Sequence, residues 1–223
     1  MPRLLAQILS FIGHPLLVPT YALVLLLLLN PFAFGVRDLA DPKSMLLLIS
    51  VFASTFLIPG FGVALMKPLG LIKSLEMRDK QERIGPYIIT GVFYLWLFKN
   101  LVSNNATPAL FNTFVLGTTI GLFFAFFTNI FTKISAHATG MGGFVTMLVV
   151  TAFEWPGLMA GIPAFGGILQ ISTLGLIAAA LVLAGLVGTA RLALGAHTAP
   201  DLYRGYVAGV AAILIACAIT GMN

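Results

Sequence analysis

Long apolar runs dominate the chain, and short polar stretches separate them. A spanning helix needs about 20 mostly apolar residues. Runs of that kind cover residues 16–34, 44–66, 87–103, 110–131, 141–160, 167–189 and 203–222. Pro15, Pro19 and Pro156 bound or interrupt the first and fifth of them. Backbone groups in hydrocarbon must bond within their own segment, so helices are the expected elements. The alternating segments of a membrane β-barrel are absent. The pattern predicts an all-α fold, a polytopic transmembrane helical bundle of about six to seven spans, built as a single domain over residues 1–223. The N-terminal stretch "MPRLLAQILSFIGHPLLVP" has one arginine and no clear small-residue cleavage site. It is expected to be a retained helix, partly interfacial, broken near His14 and Pro15.

Composition supports the membrane reading. Hydrophobic residues make up 59% and charged residues 9%, whereas soluble domains are about a quarter charged. The net charge of +5 is modest, and no broad basic surface of the kind nucleic acid needs is visible. The single cysteine, Cys217, lies inside an apolar run, so neither a disulfide framework nor a cysteine metal site is expected. No internal repeat or low-complexity tract is present.

Most of the chemistry falls in three loops. Residues 67–86 hold Lys67, Lys73, Arg78, Lys80 and Arg83; residues 132–140 hold Lys133, Ser135 and His137; residues 190–204 hold Arg191, His197, Asp201 and Arg204. With seven spans these loops follow the second, fourth and sixth helices, which places all three on one side of the membrane. The other side carries Arg37, Asp38, Asp41, Lys43, Lys99 and Glu154, with no histidine. Ionisable groups at or within a membrane are costly and usually functional. Histidines facing several cations suit phosphoryl transfer, which needs positive charge around the equatorial oxygens, an in-line nucleophile and an acid for the leaving oxygen. Arginine holds phosphate with a planar fork, and histidine serves as nucleophile or acid near neutral pH. Asp201 follows His197 by four residues, within reach to orient the imidazole.

The segment Arg191-x5-His197-x3-Asp201 resembles the third motif of the type 2 phosphatidic acid phosphatase superfamily, Ser-Arg-x5-His-x3-Asp, with Ala190 where the motif has serine. "ISAH", Ile134 to His137, is similar to the second motif, Pro-Ser-Gly-His; Ser135 and His137 match, and Ile134 and Ala136 depart. "KQERIGP", Lys80 to Pro86, looks like a shortened first motif, Lys-x2-Arg-x2-Pro in place of Lys-x6-Arg-Pro. Lys133, Ser135 and His137 also fit a Lys-x-Ser-x-His form of the second motif seen in divergent bacterial members. The resemblance runs over about residues 73–210. It implies a metal-independent and cofactor-independent phosphatase of the bacterial inner membrane, acting on a lipid phosphate or diphosphate through a phosphohistidine. It makes His197 the nucleophile, Asp201 its orienting acid and His137 the general acid. Arg191, Ser135, Arg83, Lys80 and Lys133 would bind phosphate.

Other readings of the same residues stand beside it. Residues 73–83 suit an amphipathic loop on anionic lipid, with Glu76, Asp79 and Glu82 pairing the bases. His14 matches none of the motifs and reads as structural. Gly205-x3-Gly209 suits close helix packing; the "GMGG" run after His137 suits either packing or close approach to a phosphate. Ala190 leaves room for a degenerate phosphatase that binds a lipid phosphate without turnover, and an anion transporter is a further class. The inverted repeats common in transporters are not seen. The motif-bearing side carries more Lys and Arg, which favours a cytoplasmic site. Discounting the phosphate-binding cations leaves five against three, and both orientations stay open.

Overall fold

A computed structural model describes residues 1–74, 81–105, 107–164 and 166–222. Nine α-helices are formed among them: α1 (Arg3–Ile12), α2 (Val18–Leu29), α3 (Pro42–Phe52), α4 (Ile58–Met66), α5 (Ile84–Ser103), α6 (Ala109–Phe131), α7 (Ala136–Glu154), α8 (Thr173–Ala193) and α9 (Ala199–Thr220). Six helical segments are long and apolar enough to cross a membrane: Arg3–Leu29, Pro42–Met66, α6, α7, α8 and α9. The protein is an all-α polytopic bundle and an integral membrane protein.

Helix boundaries follow local chemistry. Pro15 has no N–H, so the first span breaks after α1, and the His14 N–H turns back to the Phe11 carbonyl at 3.1 Å. A short 3-10 turn, Pro15–Leu17, leads into α2. The second span widens into one π turn at Ala53–Leu57, just before Pro59, whose ring cannot continue α-helical bonding. The break at His14 and Pro15 was expected. The first span differs from the expected 16–34 because α1 lies along α8 and supplies the span's first half.

One other expectation is corrected. Residues 159–172, assigned in part to the fifth and sixth runs, form a β-hairpin, with Met159 paired to Ser172 and Ala164 to Gly167. Pro156, Gly157, Gly161, Pro163 and Gly166 forbid a stable helix there, and Gly157 and Gly166 take positive φ of 77° and 78°. An open sheet edge cannot sit in hydrocarbon; the hairpin joins the far ends of α7 and α8, outside the spans. The run at 87–103 lies in α5, a 20-residue helix packed along α6 and less apolar than the six. Tyr87, Tyr94, Trp96, Lys99 and Asn100 make it less apolar.

The centre of the bundle is α6, α7 and α9, with α8 on the outer side of α7 and α5 on α6. Phe111, Phe114, Met141, Met147, Leu148 and Ile213 are fully or almost fully buried there. Phe61, Phe127, Phe131, Phe153, Leu174, Val207 and Ile219 point outward, as lipid-facing side chains do. The closest seam is α7 against α9. A Cβ on Gly205 would lie 2.7 Å from the Ser135 carbonyl oxygen, and one on Gly209 would collide with the carbonyl of Thr139. The glycines after His137 serve packing: a Cβ on Gly140 would meet Pro15 at 3.2 Å, and one on Gly142 the Tyr206 backbone at 2.6 Å.

Gly209→Ala is expected to destabilise the protein by about 1–3 kcal/mol, the usual cost of overpacking a tight contact. Gly185→Ala is the control, because nothing lies within 4 Å of a Cβ there. Thermal unfolding in detergent checks this: a clear drop for the first and almost none for the second.

Candidate active site

One end of the bundle gathers the N-terminus of α5, the C-terminus of α6, the N-terminus of α7, the C-terminus of α8 and the N-terminus of α9. The contacts that tie them are specific. Arg83 Nη1, just before α5, donates to Asn129 Oδ1 at the end of α6 (3.2 Å). The Ser135 N–H, at the start of α7, donates to the Asp201 carbonyl in α9 (3.2 Å). Arg204 Nη1 donates to Thr132 Oγ1 (3.0 Å) and to the Lys133 carbonyl (3.5 Å).

The α8–α9 connection carries the histidine of the third motif. Gly195, at a positive φ of 63°, ends the α8 turn, and Thr198 opens α9 as its N-cap with Pro200 in the first turn. Asp201 completes a capping box, accepting the Thr198 N–H at 2.9 Å. The same carboxylate oxygen lies 3.6 Å from His197 Nδ1, and both side chains are at most 7% exposed. That is beyond a hydrogen bond, and His197 Nδ1 is buried without a hydrogen-bond partner. Burial, then the charges of Arg191, Lys133 and Arg83, hold the His197 pKa down to about 4, against a smaller upward pull from Asp201. At neutral pH the ring is therefore uncharged, as a nucleophilic imidazole must be.

Arg191 sits in the last turn of α8, where positive charge suits the helix dipole. Its Nη1 donates to Ser10 Oγ at 2.8 Å, while its Nε is buried without a partner. His137, in the first turn of α7, places Nε2 3.1 Å from the Ser10 carbonyl and 3.4 Å from Ser10 Oγ. A carbonyl only accepts, so Nε2 carries the proton and Nδ1 is left for other work. Ser135 is fully buried; its Oγ caps α7 by accepting the Ala138 N–H at 3.3 Å, which leaves its own proton to donate.

The structure thus brings together His197, His137, Asp201, Arg191, Ser135, Arg83 and Lys133. Lys80 lies outside the described residues. Three residues were missed by motif reasoning. Ser10 touches both Arg191 and His137, and the ring of His14 stands edge-to-face with that of His137 at 5.4 Å between centroids. Their signal in the sequence is weak: Arg3, Gln7, Ser10 and His14 recur at helical spacing in an otherwise apolar segment. Asn129, buried at the end of α6, is a third. Among the described residues no group of three or more His, Cys, Asp or Glu is placed to hold a metal ion.

His197 is expected to titrate near pH 4. Between the ordinary value of 6.5 and that midpoint the unfolded chain takes up a proton that the folded chain refuses, so this group's contribution to stability is complete above about 6.5 and falls as the pH drops toward 4. Arg191→Gln removes the largest charge effect and should raise the His197 midpoint toward 6.5. Histidine NMR titration in detergent measures it; an unmoved midpoint would contradict the arrangement.

No family model matches the chain, and no curated protein or solved structure is significantly similar to it. The chemistry of this end of the bundle rests on its own geometry and on the motif spacings.

Proposed function

We propose that the protein is an integral membrane phosphatase of the type 2 phosphatidic acid phosphatase kind, acting on a lipid phosphate or diphosphate through a phosphohistidine. The observation that carries this reading is the convergence of segments more than a hundred residues apart: Arg83, Lys133, Arg191 and Asp201 all act electrostatically on one buried, neutral histidine, His197. The end of the bundle suits a lipid head group whose tails stay in the bilayer beside the spans.

In this mechanism Arg191, Arg83 and Lys133 neutralise the phosphate oxygens as charge develops. His197 Nδ1 faces the Asp201 carboxylate, so its Nε2 lone pair attacks phosphorus. The phosphorus–oxygen bond to the lipid breaks, and the leaving oxygen takes a proton from His137 Nδ1, which picks that proton up from solvent as the anionic phosphate binds beside the ring, while Nε2–H stays on the Ser10 carbonyl. Asp201 stabilises the positive charge that forms on His197; the 3.6 Å gap closes as the ring charges, since such contacts tighten with substrate bound. Water, deprotonated by His137, then attacks the phosphohistidine, releasing phosphate and restoring His197. Ala190, fully buried, places no hydroxyl beside Arg191, and that departure favours a second reading, a lipid-phosphate-binding protein without turnover. Release of inorganic phosphate by purified protein separates the two.

Three outcomes test the mechanism. Activity on lipid phosphates should survive EDTA; complete loss restored by zinc or magnesium would end the phosphohistidine route. His197→Ala should show no measurable turnover, because it removes the covalent path. In the first step, read as the burst of leaving-group release, His137→Ala should lose roughly 10²–10⁴ in rate on an alkyl phosphate and much less on a diphosphate or a nitrophenyl ester, whose leaving groups need no proton. Equal losses on all substrates in well-folded His137→Ala would remove the acid role.

A further inference from the structure

The residue that joins Arg191 to His137 lies in no motif. Ser10, in the last turn of α1, is 7% exposed. Its hydroxyl accepts from Arg191 Nη1, and its carbonyl accepts from His137 Nε2. Both contacts depend on how α1 is built. Pro15 and Gly13 end the helix, so the His14 N–H bonds Phe11 (3.1 Å), and the Ser10 carbonyl does not take that N–H as it would in a continuing helix. Gly13 lets α1 lie against α8, since a Cβ there would collide with the side chain of Val187. The buried residues of α1 are Ala6 and Ser10, while Leu4, Leu5, Ile8, Phe11 and Ile12 are exposed on the far side. The helix therefore turns its small residues, Ala6 and Ser10, inward and its large apolar side chains outward, the reverse of a helix packed on a soluble core.

We propose that α1 forms a wall of the anion site and that Ser10 is its positioning residue. The hydroxyl aims the Arg191 guanidinium, and the carbonyl holds His137 Nε2–H, so that the remaining guanidinium N–H groups and His137 Nδ1, protonated when the anion binds, face the same phosphate. This rests on the phosphate-binding reading of the site. Ser10 supplies, from a distant element, the hydroxyl beside Arg191 that Ala190 lacks. Arg191 Nε, buried without a partner, is left as a donor for the anion.

The test uses full-length protein in detergent: wild type, Ser10→Ala, Ser10→Thr and Ile8→Ala, the last on the exposed face of α1. Inorganic phosphate affinity is measured by titration, and the His137 imidazole nitrogens are followed by NMR. Folded Ser10→Ala is expected to bind phosphate roughly tenfold more weakly, the scale of one lost hydrogen bond to a charged group. Ser10→Thr should recover most of that affinity, and Ile8→Ala should match wild type. A purely structural serine would lower thermal stability and leave the affinity of the folded protein unchanged; that result overturns the proposal. Wild type that binds no phosphate ends the phosphate reading instead. The His137 signals then judge Ser10 alone, and signals unmoved in folded Ser10→Ala overturn its positioning role. If Ser10→Ala does not fold, Ser10→Cys carries the same comparison, because a thiol keeps the volume and is a poor hydrogen-bonding group.

Discussion

The backbone of α9 lies against the backbone of α7, and the candidate site depends on that contact. In a bilayer, lipid tails are as apolar as leucine, so helices associate through close packing and hydrogen bonds and not through burial of apolar surface alone. Gly205 and Gly209 remove the side chains that would hold the two helices apart. The approach is close enough for the Ser135 N–H to reach the Asp201 carbonyl. That bond fixes the start of α7, and with it His137, relative to the start of α9, and with it Asp201 and His197. Tyr206, one residue after Gly205, donates its hydroxyl to the Ala184 carbonyl at 2.7 Å and ties α9 to α8. The seam thereby sets two histidines and an arginine from three helices in one frame.

The charges gathered in that frame do not balance. Among the described residues, His197 feels three cations and one carboxylate. That carboxylate is already engaged as the capping acid of α9. A cation in a partly dry site needs a counter-charge or good hydrogen bonds, and Arg191 has Ser10 at one nitrogen and nothing at Nε. A buried donor left unpaired costs about 1–3 kcal/mol. An anion between Arg191 and His197 would relieve both that deficit and the mutual repulsion of the cations. The histidine tolerates the excess positive charge by staying neutral. In the proposed function the same electrostatics would bind a phosphate and keep the nucleophile unprotonated.

Most of the spans were legible because apolar length alone specifies them. The hairpin at 159–172 was not, since its apolar composition matches that of the neighbouring helices; only its glycines and prolines mark it as broken. His197, Asp201 and Arg191 could be read from spacing because they share one loop. His137 and Ser135 could be read as a pair for the same reason. Ser10 could not: its partners lie 127 and 181 residues away, and no local pattern records such contacts. His14 was visible as a histidine, but nothing in the sequence placed its ring beside that of His137. Asn129 was hidden among the polar residues of an otherwise apolar helix.

The break in the first span has a use beyond ending a helix. In a continuous helix each carbonyl is taken by the N–H four residues on, and a neighbour can use only its second lone pair, as Tyr206 does at Ala184. Pro15 supplies no N–H, so Phe11 needs another donor and takes the His14 N–H instead. Ser10 is thereby released as an acceptor at the depth of Arg191 and His137. Non-helical backbone at membrane depth is tolerated where it lines a polar cavity, and here the freed carbonyl meets the imidazole of His137. A proline in one span thus frees a backbone acceptor for a histidine in another, and Gly13 lets that first span lie against α8.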